Sequence, residues 1–352
     1  MLLDVPFIPD TEYTAFLRDR AQSLTSVHFS LTDPSLSDAR QRLHRQDMNE
    51  IIHGLRRLHG VDKYVLMNAR LHAPERYFDT KGLAHTAQCL ERLSDEADLK
   101  GVIFADPYYL QALSDARPDL ACRLEAVPSI NAMPDTADRV FALLAMIGST
   151  GFRLPSRLVL DRSLNRNIDR LNRVTGQIRT RYPRMRLLLM ANEGCLYQCP
   201  YKPAHDAHVA LVNEGLCPER TFAMNRDFGC MRRLLLDPGA MLASPFIRPE
   251  DLHEYQGKAD GIKLCGRNRG SQFLVRAVTA YLDGSHTGNL LDLMDAMGDL
   301  NDRVNIPNPA LPDTFFRQVT ACDKNCLACG RCADIMDRIA LRTDPGLPRM
   351  GF

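Results

Sequence analysis

Short apolar runs alternate with longer amphipathic segments along most of the chain. The runs rich in β-branched and aliphatic residues predict eight strands, at Ser26–Ser30, Tyr64–Ala69, Gly101–Ala105, Leu124–Ile130, Arg157–Leu160, Arg186–Ala191, Met241–Ile247 and Gly261–Cys265. Between them, segments such as the one containing Leu164, Ile168, Leu171 and Ile178 place apolar residues at near-helical spacing. Eight strands with intervening helices predict an α/β protein with a parallel (β/α)8 barrel of the TIM type.

The rival arrangement is a doubly wound open sheet. It would normally show a glycine-rich phosphate turn after the first strand, and SVHFSLTDPSLSDAR contains none. We expect the barrel to occupy residues 1–284, with a long cysteine-bearing connection at residues 192–240 after the sixth predicted strand. Residues 285–352 are expected to form a helical C-terminal extension, broken by the proline-rich segment Asn305–Asp313 and ending in a cysteine cluster.

Composition narrows the function classes. The 352 residues carry 44 basic and 43 acidic side chains, a net charge of +1 that argues against a strongly basic nucleic-acid binder. The longest apolar run falls far short of the roughly 20 residues that a membrane-spanning helix needs. The N-terminal MLLDVPFIPD does not read as a secretory signal. Eleven cysteines in tight groups therefore indicate a cytoplasmic, metal-binding protein rather than a disulfide scaffold.

The strongest motif lies near the C-terminus. Four cysteines fall within eleven residues, in ACDKNCLACGRCADI, at Cys322, Cys326, Cys329 and Cys332. Thiolates gathered this closely ligate a soft metal, and such close spacing favours iron–sulfur over zinc, whose cysteines usually form two separated pairs. The CxxxCxxC spacing also fits the cluster motif of radical-SAM enzymes, but those enzymes place it after the first barrel strand. Four free buried thiols remain the alternative.

A second group of cysteines lies in the long connection. Cys195, Cys199, Cys217 and Cys230 share one 36-residue stretch that begins just beyond a predicted strand, at the catalytic edge of a parallel barrel. We interpret them as ligands of an iron–sulfur cluster rather than as scattered structural thiols. Cys265 ends the last predicted strand at the same edge and is a reserve ligand in place of Cys217.

Polar residues beside these cysteines are candidate catalytic groups. His205 is a candidate proton donor or substrate ligand, and Glu193 a candidate orienting group, although both also suit ordinary loop roles. Arg267 follows the last strand and suits a carboxylate or phosphate, with a surface ion pair as its alternative. Eight arginines in Arg162–Arg186 could contact RNA phosphates, but such a run is more often the solvated face of an outer helix.

The chain resembles the collagenase-like peptidase family, designated U-thirty-two. GADGIKLCGRNRGSQFLVRAVTAYLDG resembles that family's "lKIEGR…Y…v…aYr" signature, with Cys265 in place of its glutamate. The preceding segment 129–171 resembles the stretch that contains "vvLsRELs", and MANEGCLYQCP occupies the place of the family's "hG.lC…GrC" cysteines. The resemblance covers about Leu124 to Gly284.

This resemblance implies an iron–sulfur protein despite the peptidase name. Members of the family act in oxygen-independent hydroxylation of a ubiquinone ring precursor or of RNA bases, with prephenate as the oxygen donor. The resemblance implies cluster ligands at Cys195, Cys199, Cys217 and Cys230, and for that reason Cys217 is preferred to Cys265. One or two [4Fe–4S] clusters, a small-molecule or RNA substrate and a partner subunit of the same family are the resulting expectations.

Three functions remain open from the sequence. The first is an iron–sulfur redox enzyme of the hydroxylase kind. The second is a peptidase, for which neither a GxSxG elbow nor an HExxH helix is present in the sequence. The third is a non-catalytic iron–sulfur subunit of a hydroxylase complex.

Overall fold

A parallel sheet of eight strands forms the body of the protein in this computed structural model, which describes residues 1–31, 38–39 and 47–342. Strands β1 to β8 span Leu2–Pro6, Leu24–Phe29, Asp62–Met67, Leu99–Phe104, Glu125–Pro128, Arg157–Leu160, Arg186–Met190 and Gly261–Lys263. Their order is β5-β4-β3-β2-β1-β8-β7-β6, and every pairing is parallel. Glu125 of the edge strand β5 forms a bridge to Arg153, four residues before the other edge strand β6. The barrel is thus nearly closed, and the predicted fold class is confirmed.

Helices surround the sheet and continue into the C-terminal region. Helices α1 to α15 span Thr11–Arg18, Met48–Arg56, Thr80–Ala97, Pro107–Ala116, Pro118–Ala121, Ala137–Gly148, Ile168–Arg181, Lys202–Asn213, Thr221–Asp227, Cys230–Leu236, Gly239–Ala243, Ser271–Asp283, Phe315–Thr320, Cys326–Cys329 and Arg331–Ile339. A short 3-10 helix at Arg162–Arg166 follows β6. No helix among the described residues is both long and apolar enough to cross a membrane.

Two of the strand predictions need correction. The segment Met241–Ile247 is not a strand, because its first residues belong to α11 and the rest is extended chain without strand pairing. Its residues are apolar because Met241 and Phe246 pack against the C-terminal region. The strand missing from the prediction is β1, Leu2–Pro6, where the buried polar residue Asp4 interrupts the apolar pattern. The long connection therefore joins β7 to β8.

Alternating strand residues divide between two environments. Leu3, Val5 and Val27 face outward and pack against the apolar faces of the surrounding helices in one large core. Burial of such side chains stabilises the fold by about 25 cal/mol for each Å² removed from water. The residues between them face the inside of the barrel, and many of these are polar or charged.

The C-terminal region has a core of its own that extends onto the barrel. Leu290, Met294 and Phe315 pack with Met241 and Leu242 of α11. This packing is close: a Cβ added at Gly239 would lie 2.8 Å from the backbone of Ala333 in α15. A two-stranded antiparallel ladder of Val304–Asn305 with Leu341–Arg342 completes the region. The predicted division of the chain after residue 284 stays a prediction.

Candidate functional site

A cavity of about 440 Å³ opens where the strands of the barrel end. Its apolar wall comes from inward-facing strand residues, including Leu66, Ile103, Val127 and Val159. Its roof comes from the β7–β8 connection, and its rim includes residues that follow β8. In a parallel barrel this face is where reactive groups from several strands converge, so the cavity is the candidate functional site.

Four thiols from separate parts of the chain line this cavity. Cys195 and Cys199 lie in the turn after β7, Cys230 is the first residue of α10, and Cys265 follows β8. Burial raises the pKa of the Cys195 thiol well above its usual range and Glu193 adds to that rise. Burial likewise raises the pKa of Cys199 and of Cys230. Without a metal these thiols are therefore protonated at neutral pH.

The two candidates for a fourth ligand occupy different places. Cys265 is buried and its neighbour Asn192 holds it firmly, because the Asn192 amide oxygen accepts from the Cys265 backbone N–H at 2.8 Å and from its Sγ at 3.3 Å. Cys217 does not line the cavity. Cys217 lies beyond the end of α8, and its Sγ is 3.7 Å from Nδ1 of His208 in that helix. Cys265, and not Cys217, thus lines the same cavity as the other three thiols.

The C-terminal region holds the turn that carries Cys195. The backbone N–H groups of Asp295 and Ala296 donate to the carbonyls of Asn192 and Glu193 at 2.9 and 2.7 Å. Gly194 has a φ of +76°, and a Cβ there would lie 3.0 Å from Met297. Glycine therefore suits both the left-handed backbone and the close approach of the C-terminal region.

The sequence-predicted catalytic residues take different positions around the cavity. Glu193 and His205 both line it. Glu193 forms an ion pair with Arg162, a buried residue of the 3-10 helix after β6. Arg267 lines the rim, where its Nε donates to Asp38 at 3.1 Å.

Behind the apolar wall lies a buried charged layer that the sequence interpretation missed. Asp4, with no exposed surface, accepts from Lys263 Nζ at 2.8 Å, from Arg157 Nη1 at 3.0 Å and from His28 Nδ1 at 3.0 Å. Ser26 donates to the same carboxylate at 3.1 Å. Four donors from three other strands therefore converge on one carboxylate. His28, Arg157 and Lys263 also line the cavity.

This layer perturbs the acid–base behaviour of its members. Burial would raise the pKa of Asp4, but Arg157, Lys263 and His28 together hold that pKa well below its usual range. Burial lowers the pKa of Lys263 to about 8, an effect that Asp4 opposes and Arg157 strengthens. Burial lowers the pKa of His28 to about 4, so His28 is neutral at pH 7. Lys263 therefore loses its proton closer to neutral pH than an ordinary lysine does.

A second polar cluster lies under the roof. Lys202 Nζ donates to both oxygens of Asp206 at 2.9 Å and to the amide oxygen of Asn131 at 3.0 Å. Arg70 donates to the carbonyl of Asn131 at 3.1 Å. These contacts tie α8, which carries His205, to the loops after β3 and β5. They fix the roof over the cavity.

The C-terminal cysteines gather at a second cavity of about 430 Å³. Its lining includes Cys322, Cys326, Cys329 and Cys332, together with Leu196, Tyr197, Gln198 and Pro200 of the turn after β7. Burial raises the pKa of Cys332 to about 11, an effect that Arg166 opposes. The two cysteine groups therefore lie on either side of one short segment, residues 195–200.

Within the described ranges, no three side chains of His, Cys, Asp or Glu converge closely enough to hold a metal ion. What each cavity provides is a set of sulfur donors of the type that iron–sulfur clusters and zinc use. In the Arg162–Arg186 run, Arg170, Arg179 and Arg186 form ion pairs with Asp135, Asp260 and Asp62, at 2.8, 3.0 and 3.0 Å.

The missed residues had a signal in the sequence. Asp4, Ser26, His28, Arg157 and Lys263 are polar residues inside apolar strands, at positions that face the barrel interior. Within a single strand, each of them only interrupts the apolar pattern. The pairing of β1 with both β2 and β8, together with the long side chain of Arg157 from β6, places them together. Their convergence could be found from the sequence only by aligning these strands in one register.

Comparison with known proteins gives a distant relationship. No protein-family model matches the chain. A protein of Methanocaldococcus jannaschii named as an uncharacterized protease is 29% identical over 182 residues, which are 51% of this chain and 52% of that protein. The chain thus spans about half the length of this curated relative.

Two solved structures are similar to the chain over most of its length. The U32 peptidase Mk0906 is 16% identical with a TM-score of 0.49, over 75% of this chain and 92% of that one. Endonuclease IV from Thermus thermophilus is 12% identical with a TM-score of 0.39, over 81% of this chain and all of that one. The sequence match to the archaeal protease supports the relationship to a peptidase family that the motifs predict.

Proposed function

We propose that this chain, a relative of the U32 peptidase family, is an iron–sulfur enzyme that carries out a redox modification in the barrel cavity. The reaction resembles oxygen-independent hydroxylation, as the motif resemblance implies. The substrate is a small molecule or an RNA base. The oxygen donor is a small organic acid of the prephenate kind.

The observation that carries this proposal is the shared cavity of four thiols. Cys195, Cys199, Cys230 and Cys265 come from three separate segments of the chain yet line one space. Sulfur donors from separate segments around one space are the ligand type that an iron–sulfur cluster uses. A cluster bound by them would supply one-electron chemistry to a substrate in the cavity.

The residues around these thiols suit a polar substrate. Lys263, held by Asp4, presents an ammonium group that can give up or take a proton near pH 8. Arg267 and Lys202 also line the cavity, where they pair with Asp38 and Asp206, so an acidic donor molecule would bind by replacing these carboxylates. The aliphatic wall excludes water from the apolar part of the substrate.

The test is metal analysis of anaerobically purified protein. We expect a brown protein with iron and acid-labile sulfide, and an EPR signal after reduction. Cys195→Ala and Cys230→Ala should abolish the signal of the barrel centre. Cys89→Ala is the matched control, because Cys89 is a buried thiol of α3 far along the chain from both groups.

Further variants assign the remaining ligands. Cys265→Ala should remove the barrel signal and Cys217→Ala should not, since only Cys265 lines the cavity. Cys326→Ala should remove the metal of the C-terminal group alone. Colourless protein that holds only zinc, or iron that survives every one of these substitutions, would contradict the proposal.

The protease name of the archaeal relative makes peptide cleavage the second candidate. Cys195 and His205 share the cavity, as a thiol nucleophile and its base would. Burial, however, raises the pKa of Cys195, which weakens it as a nucleophile. Cleavage of a casein substrate that persists after iron chelation and disappears in Cys195→Ala would establish this alternative.

A non-catalytic role as partner subunit of a hydroxylase complex is the third candidate. It differs from the first only in whether this chain works alone. Metal-loaded chain that turns over substrate only when a related subunit is added would establish it.

A further inference from the structure

Two arginines of one short helix stand behind the two cysteine groups. Arg162 and Arg166 are both buried and lie four residues apart in the 3-10 helix after β6. Arg162 pairs with Glu193, two residues before Cys195. Arg166 donates to the carbonyls of Ser244 and Leu242 at 2.7 and 2.9 Å, and its charge acts on Cys332.

We infer that Arg162 is a positioning residue that balances the negative charge of the barrel centre and sets its reduction potential. The inference rests on the proposed iron–sulfur function. It assigns a role to a residue that acts on the centre through its charge and its hydrogen-bond donors rather than as a ligand.

The first support is the unsatisfied hydrogen bonding of Arg162. Its Nε and Nη2 atoms are buried and have no hydrogen-bond acceptor among the described residues. Buried donors without acceptors cost about 1 to 3 kcal/mol each, and more when charged. Thiolate and sulfide sulfurs are acceptors of the kind that would satisfy these donors, and hydrogen bonds to such sulfurs tune cluster potentials.

The second support is electrostatic. A guanidinium buried in low dielectric acts strongly on nearby charge. Arg162 pairs with Glu193, which lines the cavity two residues before Cys195, and the two side chains are only 6% and 14% exposed. A positive charge there favours negative charge on the sulfurs of the turn, and the carboxylate of Glu193 disfavours it.

These opposite signs give a test that a purely structural role would fail. In Arg162→Gln, loss of the positive charge disfavours the reduced, more negative centre, so its reduction potential falls. In Glu193→Gln, loss of the negative charge raises the potential. We expect each change to be at least tenfold in the reduction equilibrium, or about 59 mV for one electron. Damage to the turn alone would shift both variants in one direction.

The measurement is an EPR-monitored redox titration of anaerobically purified full-length protein. The Cys326→Ala background leaves the barrel centre as the only signal. Arg162→Lys retains the charge and should keep the potential near that of the parent. Arg170→Gln is the matched control, because Arg170 pairs with Asp135 on the surface and its loss should leave the potential unchanged.

The outcomes separate the two hypotheses. If the parent protein contains no iron, the proposed function fails and this inference fails with it. If iron is present but the Arg162→Gln and Glu193→Gln potentials are unchanged or move together, the proposed function stands and the role of Arg162 is refuted. If Arg162→Gln loses the cluster, the other two variants give the answer. A raised potential in Glu193→Gln with an unchanged potential in Arg162→Lys supports the role of Arg162, and any other pair of results refutes it.

Discussion

Replacing Asp4 by asparagine tests the buried charged layer most directly. The substitution keeps the shape of the side chain and removes its charge. Arg157 and Lys263 then lose the carboxylate that lies 3.0 and 2.8 Å from them. Removing one partner of a buried ion pair costs about 3 to 5 kcal/mol, because the remaining charge is left uncompensated.

The expected loss is about 4 kcal/mol, a large share of the 5 to 15 kcal/mol that usually separates native from unfolded protein. It should be partly recovered when one cation is also removed. In Asp4→Asn with Lys263→Met, we expect the combined loss to be smaller than the sum of the single losses by about 1 to 3 kcal/mol. Lys263→Met alone should cost less than Asp4→Asn, because Arg157 still compensates Asp4.

Urea unfolding at pH 7, followed by far-ultraviolet circular dichroism, measures these differences. The dependence of the unfolding free energy on urea concentration should be the same in all variants. The pH dependence provides a second readout. Burial lowers the pKa of Lys263 to about 8, so between about pH 8 and pH 10.5 the unfolded chain binds a proton that the native protein excludes.

Stability should therefore rise by roughly 3 kcal/mol over that interval in the wild type relative to Lys263→Met. An Asp4→Asn protein within about 1 kcal/mol of the wild type, or fully additive losses in the double variant, would refute the electrostatic account of this layer.

Three further predictions concern the stability of the protein: one its loss in acid and two the substitution of a glycine. Burial lowers the pKa of His28 to about 4, so the free energy of unfolding should fall by roughly 3 kcal/mol as the pH drops from about 6.5 to about 4. Urea unfolding of His28→Asn should not show this loss, and the same pH dependence in the variant and the wild type would contradict the role of His28. A Cβ at Gly101 would lie 2.2 Å from the carbonyl oxygen of Glu125, so Gly101→Ala should lower the free energy of unfolding by about 2 kcal/mol or more. Gly176 lies inside α7 with nothing within 4 Å, so Gly176→Ala should instead raise it by about 0.5 to 1 kcal/mol. Urea midpoints measure both, and a stable Gly101→Ala protein would show that β4 and β5 can separate.

The sequence was sufficient to predict the barrel, because outward-facing strand residues pack against helices and are almost uniformly apolar. The predicted strand Arg157–Leu160 matches the observed one, and the strand predicted at Arg186–Ala191 ends one residue early in the structure. The prediction was wrong where burial had another cause. Met241–Ile247 is apolar because it lies under the C-terminal region, and Leu2–Pro6 was overlooked because Asp4 is satisfied by partners far along the chain.

The candidate site could be predicted only as far as local spacing allowed. Cys195 and Cys199 are neighbours in the chain, so their proximity needs no tertiary information. The choice between Cys217 and Cys265 depends on where a long connection folds back, which spacing does not determine. The ion pair of Glu193 with Arg162 is likewise invisible in the sequence, because the two residues lie on different strand connections.

The position of the residue 195–200 segment links the two cysteine groups physically. Cys195 and Cys199 line the barrel cavity, Tyr197 and Gln198 line the C-terminal one, and Leu196 lines both. The same segment follows the Asn192–Glu193 carbonyls that the C-terminal region anchors. Residues 195–200 therefore form a wall that the two cavities share, with one cysteine group on each side of it.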